Sequence, residues 1–129
     1  MTDATALAAT ATAVAAIKIN DVVCRDPNYP SDSEFIELRN DSSAQVILTG
    51  WRVVNASRSN VFYTFPTYTT RIGPDVYVAV YSGIGVDVPS DDTFYWGRTD
   101  QLWFVGDKVE LRDPSNRLIN SYTVLAASC

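Results

Sequence analysis

Apolar and polar side chains alternate along most of the chain from residue 17 onward. This period of two is typical of β-strands with one buried face, and no window sustains the period of 3.6 that indicates a surface helix. Clusters of turn-forming residues separate the runs at intervals of roughly eight to twelve residues, which predicts a β-sandwich or barrel. The predicted strands are 17–24, 34–40, 45–55, 61–65, the part of 71–82 after its Gly-Pro turn, 94–96, 101–105, 108–112 and 118–124.

The clearest prediction is a β-hairpin near the end of the chain. Residues 108–112 alternate strictly, Asp-Pro-Ser-Asn then interrupts the pattern, and residues 118–124 resume in extended-type residues. Gly106-Asp107 predicts a tight turn into this hairpin. Earlier in the chain, Gly50 predicts a bulge or bend before Trp51, because glycine inside a strand pattern often marks such a site.

Residues 1–16 differ in composition from the rest, because they are almost entirely Ala and Thr. Leu7 and Val14 are their larger aliphatic side chains, and Asp3 is their only charged one. A secretory signal needs a basic stretch before its apolar core, and a membrane span needs about 20 apolar residues. We therefore expect neither a signal peptide nor a membrane anchor.

Two interpretations of this N-terminal arm stay open. It is a flexible tail if its small side chains bury too little area to offset the entropy of ordering. Alternatively it orders on a partner, where the Thr-Ala alternation from Thr10 to Val14 can add a strand to a neighbouring sheet. The predicted organisation is an arm (1–16), a sandwich (17–125) and a short C-terminal tail (126–129).

The length and charge of the chain limit its partners. A chain of 129 residues with 47% apolar composition suits one folded domain. Ten basic residues face fifteen acidic ones, and the net charge is −5. Phosphate binding needs clustered positive charge, and the cations here are scattered singly. We expect no nucleic-acid partner and no membrane partner.

The sequence also argues against catalysis, because it contains no histidine. Histidine is the commonest general base and metal ligand, and the hydroxyl side chains have no base to activate them. We therefore expect no enzyme activity, no catalytic residue, no metal site and no cofactor. The two cysteines, Cys24 and Cys129, are either a buried thiol and a free terminal thiol or a disulfide that ties the C-terminus to the first strand.

Two groups of carboxylates could suggest a site. Glu34 and Glu37 lie three apart on one predicted strand, which places them on opposite faces, so we expect one in solvent and one bonded to a backbone or an arginine. Acidic loops could offer oxygens to Ca²⁺, but turn chemistry explains them as well and their spacing matches no EF-hand. The loop residues are Asp26, Asp32 and Glu34 in one group and Asp87, Asp91 and Asp92 in the other.

An aromatic cluster is the best candidate for a contact surface in the folded part. Tyr95, Trp96, Arg98 and Trp103 lie close in sequence, and aromatic residues with arginine are enriched at binding hot spots. We expect Trp103 to fill the core. At least one of Tyr95 and Trp96 should face outward, because neighbours on a strand alternate. The predicted protein-contact residues are Leu7, Val14, Tyr95, Trp96 and Arg98.

The order of the motifs resembles the lamin-tail domain family. The motifs are IKINDVV (17–23), EFIELRN (34–40), LTGWRV (48–53), IGPDVYVAVYS (72–82) and LWFVGDKVELRDPSNRLINSY (102–122). The family shows an Ile-Asn-Glu-type first strand, a Glu-Trp-Ile-Glu-Leu-type second and a Leu-Ser-Gly-Trp-type third. It ends in a hairpin of the Gly-Asp-x-Val-x-Leu type.

The resemblance covers about residues 17–124, with three departures. Asp21 stands where the family usually has Glu, Phe35 replaces the common Trp, and Val105 stands at the position before Gly106-Asp107 where the family usually has Asn. None of these departures disturbs the alternation. The resemblance implies an immunoglobulin-like β-sandwich of about eight or nine short strands and a role as an interaction module, and no catalytic residue is shared across the family.

The leading functional hypothesis is a non-catalytic structural protein that decorates or stabilises a larger protein assembly. Its arm and sheet edges would make the contacts, and many copies on a lattice would make weak contacts sufficient. A virus or phage capsid is the setting that we expect, reached from the cytoplasm without a signal peptide, with self-association as a further option. The alternative is a cell-surface or extracellular adhesion module. A nucleic-acid accessory module, which predicts a steep salt dependence, ranks third.

Overall fold

A computed structural model describes residues 13–26, 28, 34–58, 61–68 and 71–129. It contains ten β-strands and two short 3₁₀ helices within this part of the chain, the helices at Pro89–Asp91 and Ala126–Ser128. The strands are β1 (Ile17–Val23), β2 (Phe35–Asn40), β3 (Val46–Ile47), β4 (Arg52–Asn55), β5 (Phe62–Thr64), β6 (Arg71–Ile72), β7 (Tyr77–Tyr81), β8 (Thr93–Tyr95), β9 (Lys108–Arg112) and β10 (Leu118–Thr123).

Two four-stranded sheets enclose one core. The first has the order β1-β2-β7-β8 and the second the order β10-β9-β4-β5, while β3 and β6 form a separate two-stranded sheet. Every pair is antiparallel except β7 and β8, which run parallel. The predicted immunoglobulin-like β-sandwich is confirmed. The strand count exceeds the expected eight or nine, in part because β3 and β6 have only two residues each.

The alternation seen in the sequence is the alternation of buried and exposed positions. In β2, Ile36, Leu38 and Asn40 point into the core, and the residues between them lie half-buried on the outer face. In β9, Val109 and Leu111 do the same. Burial of such side chains is the main favourable term in folding, at about 25 cal/mol per Å² of apolar area. The largest fully buried side chains are Trp103, Phe65 and Phe94.

The two cysteines form a disulfide between Cys24 and Cys129, which settles the alternative that the sequence left open. Their Cα atoms are 4.7 Å apart, and they are separated by 105 positions in sequence. The backbone N–H of Cys24 also donates to the carbonyl of Ser128 at 2.7 Å. The C-terminal residues are therefore fixed to the end of β1.

The predicted long strand at 45–55 is wrong in one respect, because it is divided into β3 and β4. A turn separates the two strands, in which the N–H of Trp51 donates to the carbonyl of Leu48 at 3.0 Å. Gly50 has φ = +81° in this turn, a conformation that glycine adopts without strain. The predicted bend at Gly50 is confirmed. Leu48 and Trp51 on either side of it are both buried.

The predicted strand at 101–105 is also wrong, since these residues belong to no strand. Side chains satisfy their backbone instead of a neighbouring strand. The carboxylate of Glu34 accepts from the N–H groups of Leu102 and Trp103, both at 2.9 Å. The side-chain amide of Asn55 donates to the carbonyl of Leu102 at 3.0 Å. The strand expected at 94–96 is present as β8, one residue earlier.

The base of the N-terminal arm is part of the folded unit, and residues 1–12 lie outside the described residues. Residues 13–15 are helical, so the last two residues of the strand considered for Thr10 to Val14 are not extended. Ala13 is buried, and the carbonyl of Ala16 accepts from the N–H of Asp41 at 3.1 Å. In the part of the chain that the structure describes, no helix is long and apolar enough to cross a membrane.

Candidate functional site

The loop between β7 and β8 folds back along the outer edge of the first sheet. Val88 and Thr93 exchange two backbone hydrogen bonds, of 2.9 and 3.2 Å. Next to this pair, the side-chain carboxylate of Asp87 accepts a hydrogen bond from the backbone N–H of Tyr95 at 2.7 Å. An exposed strand edge is a template for unwanted pairing, and here the loop occupies the edge of β8.

The same loop is braced from two further directions. Asp87 accepts a second hydrogen bond from the hydroxyl of Tyr68, which raises the pKa of that phenol. Gly85 lies against the ring of Tyr95, so closely that a Cβ at this position would come within 2.5 Å of the ring carbons. Tyr95 stacks in turn on Tyr81, with ring centroids 5.5 Å apart. The loop backbone is therefore held by a carboxylate and by close contact with a ring.

This braced loop carries the most exposed aliphatic side chains in the described residues. Ile84 is 67% exposed and Val86 is 83% exposed. Tyr68, which reaches the loop through Asp87, is also exposed. We call Tyr68, Ile84 and Val86 the apolar crest. Aliphatic side chains on a fixed loop form a surface that needs little ordering when it binds a partner.

The predicted aromatic cluster does not form one surface. Tyr95 lies half-buried on the outer face between Tyr81 and Gly85. Trp96 packs inward, with its ring 5.6 Å from Tyr63 and 5.9 Å from Trp103. Trp103 is fully buried, as predicted, and Tyr95 is the one of the neighbouring pair that faces outward.

Arg98 lies beside a small polar pocket. Its guanidinium binds Asp100 through two hydrogen bonds, of 3.0 and 3.1 Å, and this pairing raises the pKa of Arg98 and lowers that of Asp100. The pocket has a volume of about 150 Å³ and is also lined by Arg25 and the buried Ser82. Arg25 donates to the carbonyl of Thr99 at 3.1 Å. Two arginines balanced by Glu34 and Asp100 leave this pocket without net charge.

The two glutamates behave as the strand geometry predicted. Glu34 is 3% exposed and bonds to the backbone, while Glu37 lies on the outer face and accepts from the side-chain amide of Asn20 at 2.7 Å. Glu34 is thus a structural acceptor whose two oxygens each hold one backbone N–H.

The acidic loop residues are largely engaged in the fold. The carboxylate of Asp87 accepts hydrogen bonds from the Tyr68 hydroxyl and the Tyr95 N–H. Burial and the nearby charge of Asp91 raise the pKa of Asp92. Asp32 lies outside the described residues. Among the residues that are described, no three of His, Cys, Asp and Glu are grouped as metal ligands.

An apolar groove lies at the other end of the first sheet, beside the base of the arm. It has a volume of about 360 Å³ and is lined by Val14, Val46, Ile47 and Trp51, among others. Val14 packs against the core, whereas Ile47 is 55% exposed at the rim. Leu7, the other contact residue predicted in the arm, lies outside the described residues.

Comparison with protein families identifies the fold. The model of the family described as Lamin Tail Domain matches residues 10–126, which is most of the chain. The chain belongs to the lamin tail domain family. This family consists of immunoglobulin-like interaction modules that are not enzymes. A comparison with curated proteins found no match.

This lamin tail domain has two surface features that its sequence did not predict, the apolar crest and the apolar groove. Among their residues, only Val14 was a predicted contact residue. The signal available in the sequence was the group Ile84, Val86 and Val88 outside the predicted strands, because apolar residues that cluster on a surface can mark an interaction site. The groove had no such signal, since it depends on how the helical turn at residues 13–15 meets β3.

Proposed function

We propose that this lamin tail domain is a non-catalytic docking module that decorates the surface of a larger protein assembly. The observation that carries the proposal is the apolar crest: Ile84 and Val86 are exposed on a loop whose backbone is already fixed by Asp87 and Tyr95. A fixed apolar surface loses little conformational entropy on binding, so more of the free energy gained from a small contact area remains as affinity. Repetition on a lattice then multiplies weak contacts.

The disulfide supports a particular chemical setting for this role. Disulfides persist in oxidising surroundings, which include virion surfaces, cell surfaces and secreted material, and they are rare in the reduced cytosol. The Cys24–Cys129 bond therefore favours a working position outside the reducing cytoplasm. A virus or phage capsid, assembled in the cytoplasm and then exposed, is the assembly that we propose.

The same disulfide favours a second candidate, a cell-surface or extracellular adhesion module. The two candidates differ in their partner. A decoration protein binds one abundant repeating protein through fixed contacts, whereas an adhesion module binds a ligand on another surface. Both use the domain as a docking surface, and neither requires catalysis.

Affinity capture from the native source tests the proposal. The full chain is compared with the double variant Ile84→Ser, Val86→Ser, and bound proteins are identified by mass spectrometry. Leu118→Ser is the matched control, since Leu118 is also an exposed aliphatic residue but lies on β10. Leu7→Ser tests the arm in the same way.

We expect the wild type and the Leu118→Ser control to retain one abundant repeating structural protein, and the double variant to lose at least about tenfold of it, which corresponds to about 1.4 kcal/mol. If only Leu7→Ser loses the captured protein, the arm and not the apolar crest makes the contact. Retention of glycans or of diverse surface ligands would favour adhesion. Equal retention by all variants would overturn the proposal.

A further inference from the structure

The apolar groove beside β3 is an unoccupied surface in the described part of the molecule. Trp51 and Val46, both buried, line it together with Val14, while Ile47 remains 55% exposed at its rim. Of the seven residues that line the groove, Gln45 is the only polar one. Its volume of about 360 Å³ accommodates one or two aliphatic side chains. The chemistry of the groove calls for an uncharged apolar occupant.

The chain itself leads into this groove. Ala13 and Val14 form part of its wall, and residues 1–12 immediately precede them. We propose that residues 1–12 of the same chain cover the groove, with Leu7 as the apolar anchor. This inference concerns the free protein, and it stands whether or not the chain decorates an assembly.

A helix that continued from residues 13–15 toward the N-terminus would place Leu7 on the face that carries Val14. Residues 13–15 are helical, and the sequence before them is rich in alanine, the residue with the highest helix propensity. Positions seven apart in a helix lie on the same face, about 10 Å apart along the axis. A helix continued from residue 13 toward residue 5 therefore presents Leu7 on the face that carries Val14, with Thr10 and Ala11 between them.

Composition and connectivity favour the chain's own arm over other occupants. From residue 4 to residue 12 the arm has no charge, so covering the groove buries no ion. Attachment at Ala13 keeps Leu7 within about 20 Å of the groove even when the chain is fully extended. A tethered segment has an effective concentration in the millimolar range, whereas a second copy must reach that concentration in solution.

Methyl NMR of the full chain tests the inference, with Ile47 as the probe. The methyl signals of Ile47 are compared in wild type, Leu7→Ser and Ala9→Ser. Ala9 is the matched control, because it lies two residues from Leu7 and would face the opposite side of a helix continued from residue 13. Signals of the buried Val109 and Leu111 report whether each variant remains folded.

We expect Leu7→Ser to shift the Ile47 methyl signals and to remove the hydrogen-exchange protection of amides 8–12, with Ala9→Ser close to wild type. The wild-type Ile47 signals should not change on tenfold dilution. Signals that are identical in all three chains would overturn the inference. A wild-type signal that moves to the Leu7→Ser position on dilution would also overturn it, since the occupant would then be the arm of a second copy.

Discussion

Two neighbouring stretches of this domain, residues 101–105 and the β9–β10 hairpin, were both predicted to be strands but are held in different ways. The hairpin strands pair with each other, and β9 also pairs with β4. Residues 101–105 pair with no strand, and the buried Glu34 and Asn55 bind their backbone instead. The comparison shows that apolar residues can predict burial without predicting a strand, because a strand also needs a neighbouring backbone to pair with.

Both stretches are anchored to the first sheet or to residues next to its strands, one by hydrogen bonds and the other by a hydrogen bond and a disulfide. Glu34 precedes β2 and holds Leu102 and Trp103. The hairpin is tied through Asn120, which accepts from the N–H of Ile19 at 2.9 Å, and through the disulfide that follows β10. Removal of each anchor in turn therefore separates their contributions to stability.

The largest effect is expected from loss of the covalent anchor. The double variant Cys24→Ser, Cys129→Ser opens a link across 105 positions, and such a link restricts the unfolded chain by about 3 to 5 kcal/mol. Urea unfolding should show this loss of free energy relative to the oxidised wild type. Wild type under reducing conditions is the control and should match the variant. A loss below about 1 kcal/mol would mean that the disulfide adds little constraint.

Glu34→Ala should have the next largest effect, a loss of about 3 kcal/mol, because it leaves two buried backbone N–H groups without an acceptor. Glu37→Ala is the matched control, three residues further along in β2, and should cost less than about 0.5 kcal/mol, since Glu37 is only half-buried and its partner is a side chain. Thermal and urea unfolding measure both. Equal losses would show that residues 101–105 do not depend on the carboxylate.

The smallest effect is expected in the hairpin turn. Asp113 accepts hydrogen bonds from the N–H groups of Ser115 and Arg117 and from the Arg117 side chain. Burial by itself raises the pKa of Asp113, but these donors outweigh it and lower the pKa below the ordinary value of 3.8. Asp113→Asn should cost about 1.5 kcal/mol at neutral pH.

The lowered pKa also fixes the pH dependence. The stabilisation is present above the unfolded-state pKa and is lost as pH falls through the lower folded-state pKa. The difference between wild type and Asp113→Asn should therefore shrink between about pH 5 and pH 2. Urea unfolding across this range measures it. A difference that stays constant would show that the carboxylate charge is not what stabilises the turn.

The sequence predicted those parts of the fold in which the local pattern and the backbone partner agree. β1, β2, β7 and the β9–β10 hairpin appear where the alternation placed them, and the family resemblance is confirmed. The prediction failed where distant side chains decide the structure. Glu34 lies 68 positions before Leu102, and no local pattern reports that contact. The parallel pairing of β7 with β8 likewise depends on the path of a loop.

The candidate surfaces were less predictable than the fold. Trp96 was predicted to be a protein-contact residue, but its ring packs inward against Tyr63 and Trp103. Ile84 and Val86 lie between the predicted strands, where the sequence alone does not distinguish exposed from buried side chains. Their exposure follows from Gly85, which brings the loop backbone onto the Tyr95 ring and leaves the adjacent side chains outside.

The disulfide also determines how this domain transmits mechanical force. Ala13 lies four residues before β1, and Cys24 follows the other end of this strand and is bonded to Cys129. Tension applied between Ala13 and Cys129 thus passes along β1 alone and bypasses β2 to β10. Even if β1 were pulled free, the oxidised chain could extend by no more than about 40 Å between these points. The disulfide thus sets an upper limit on how far the domain can be stretched between these two points.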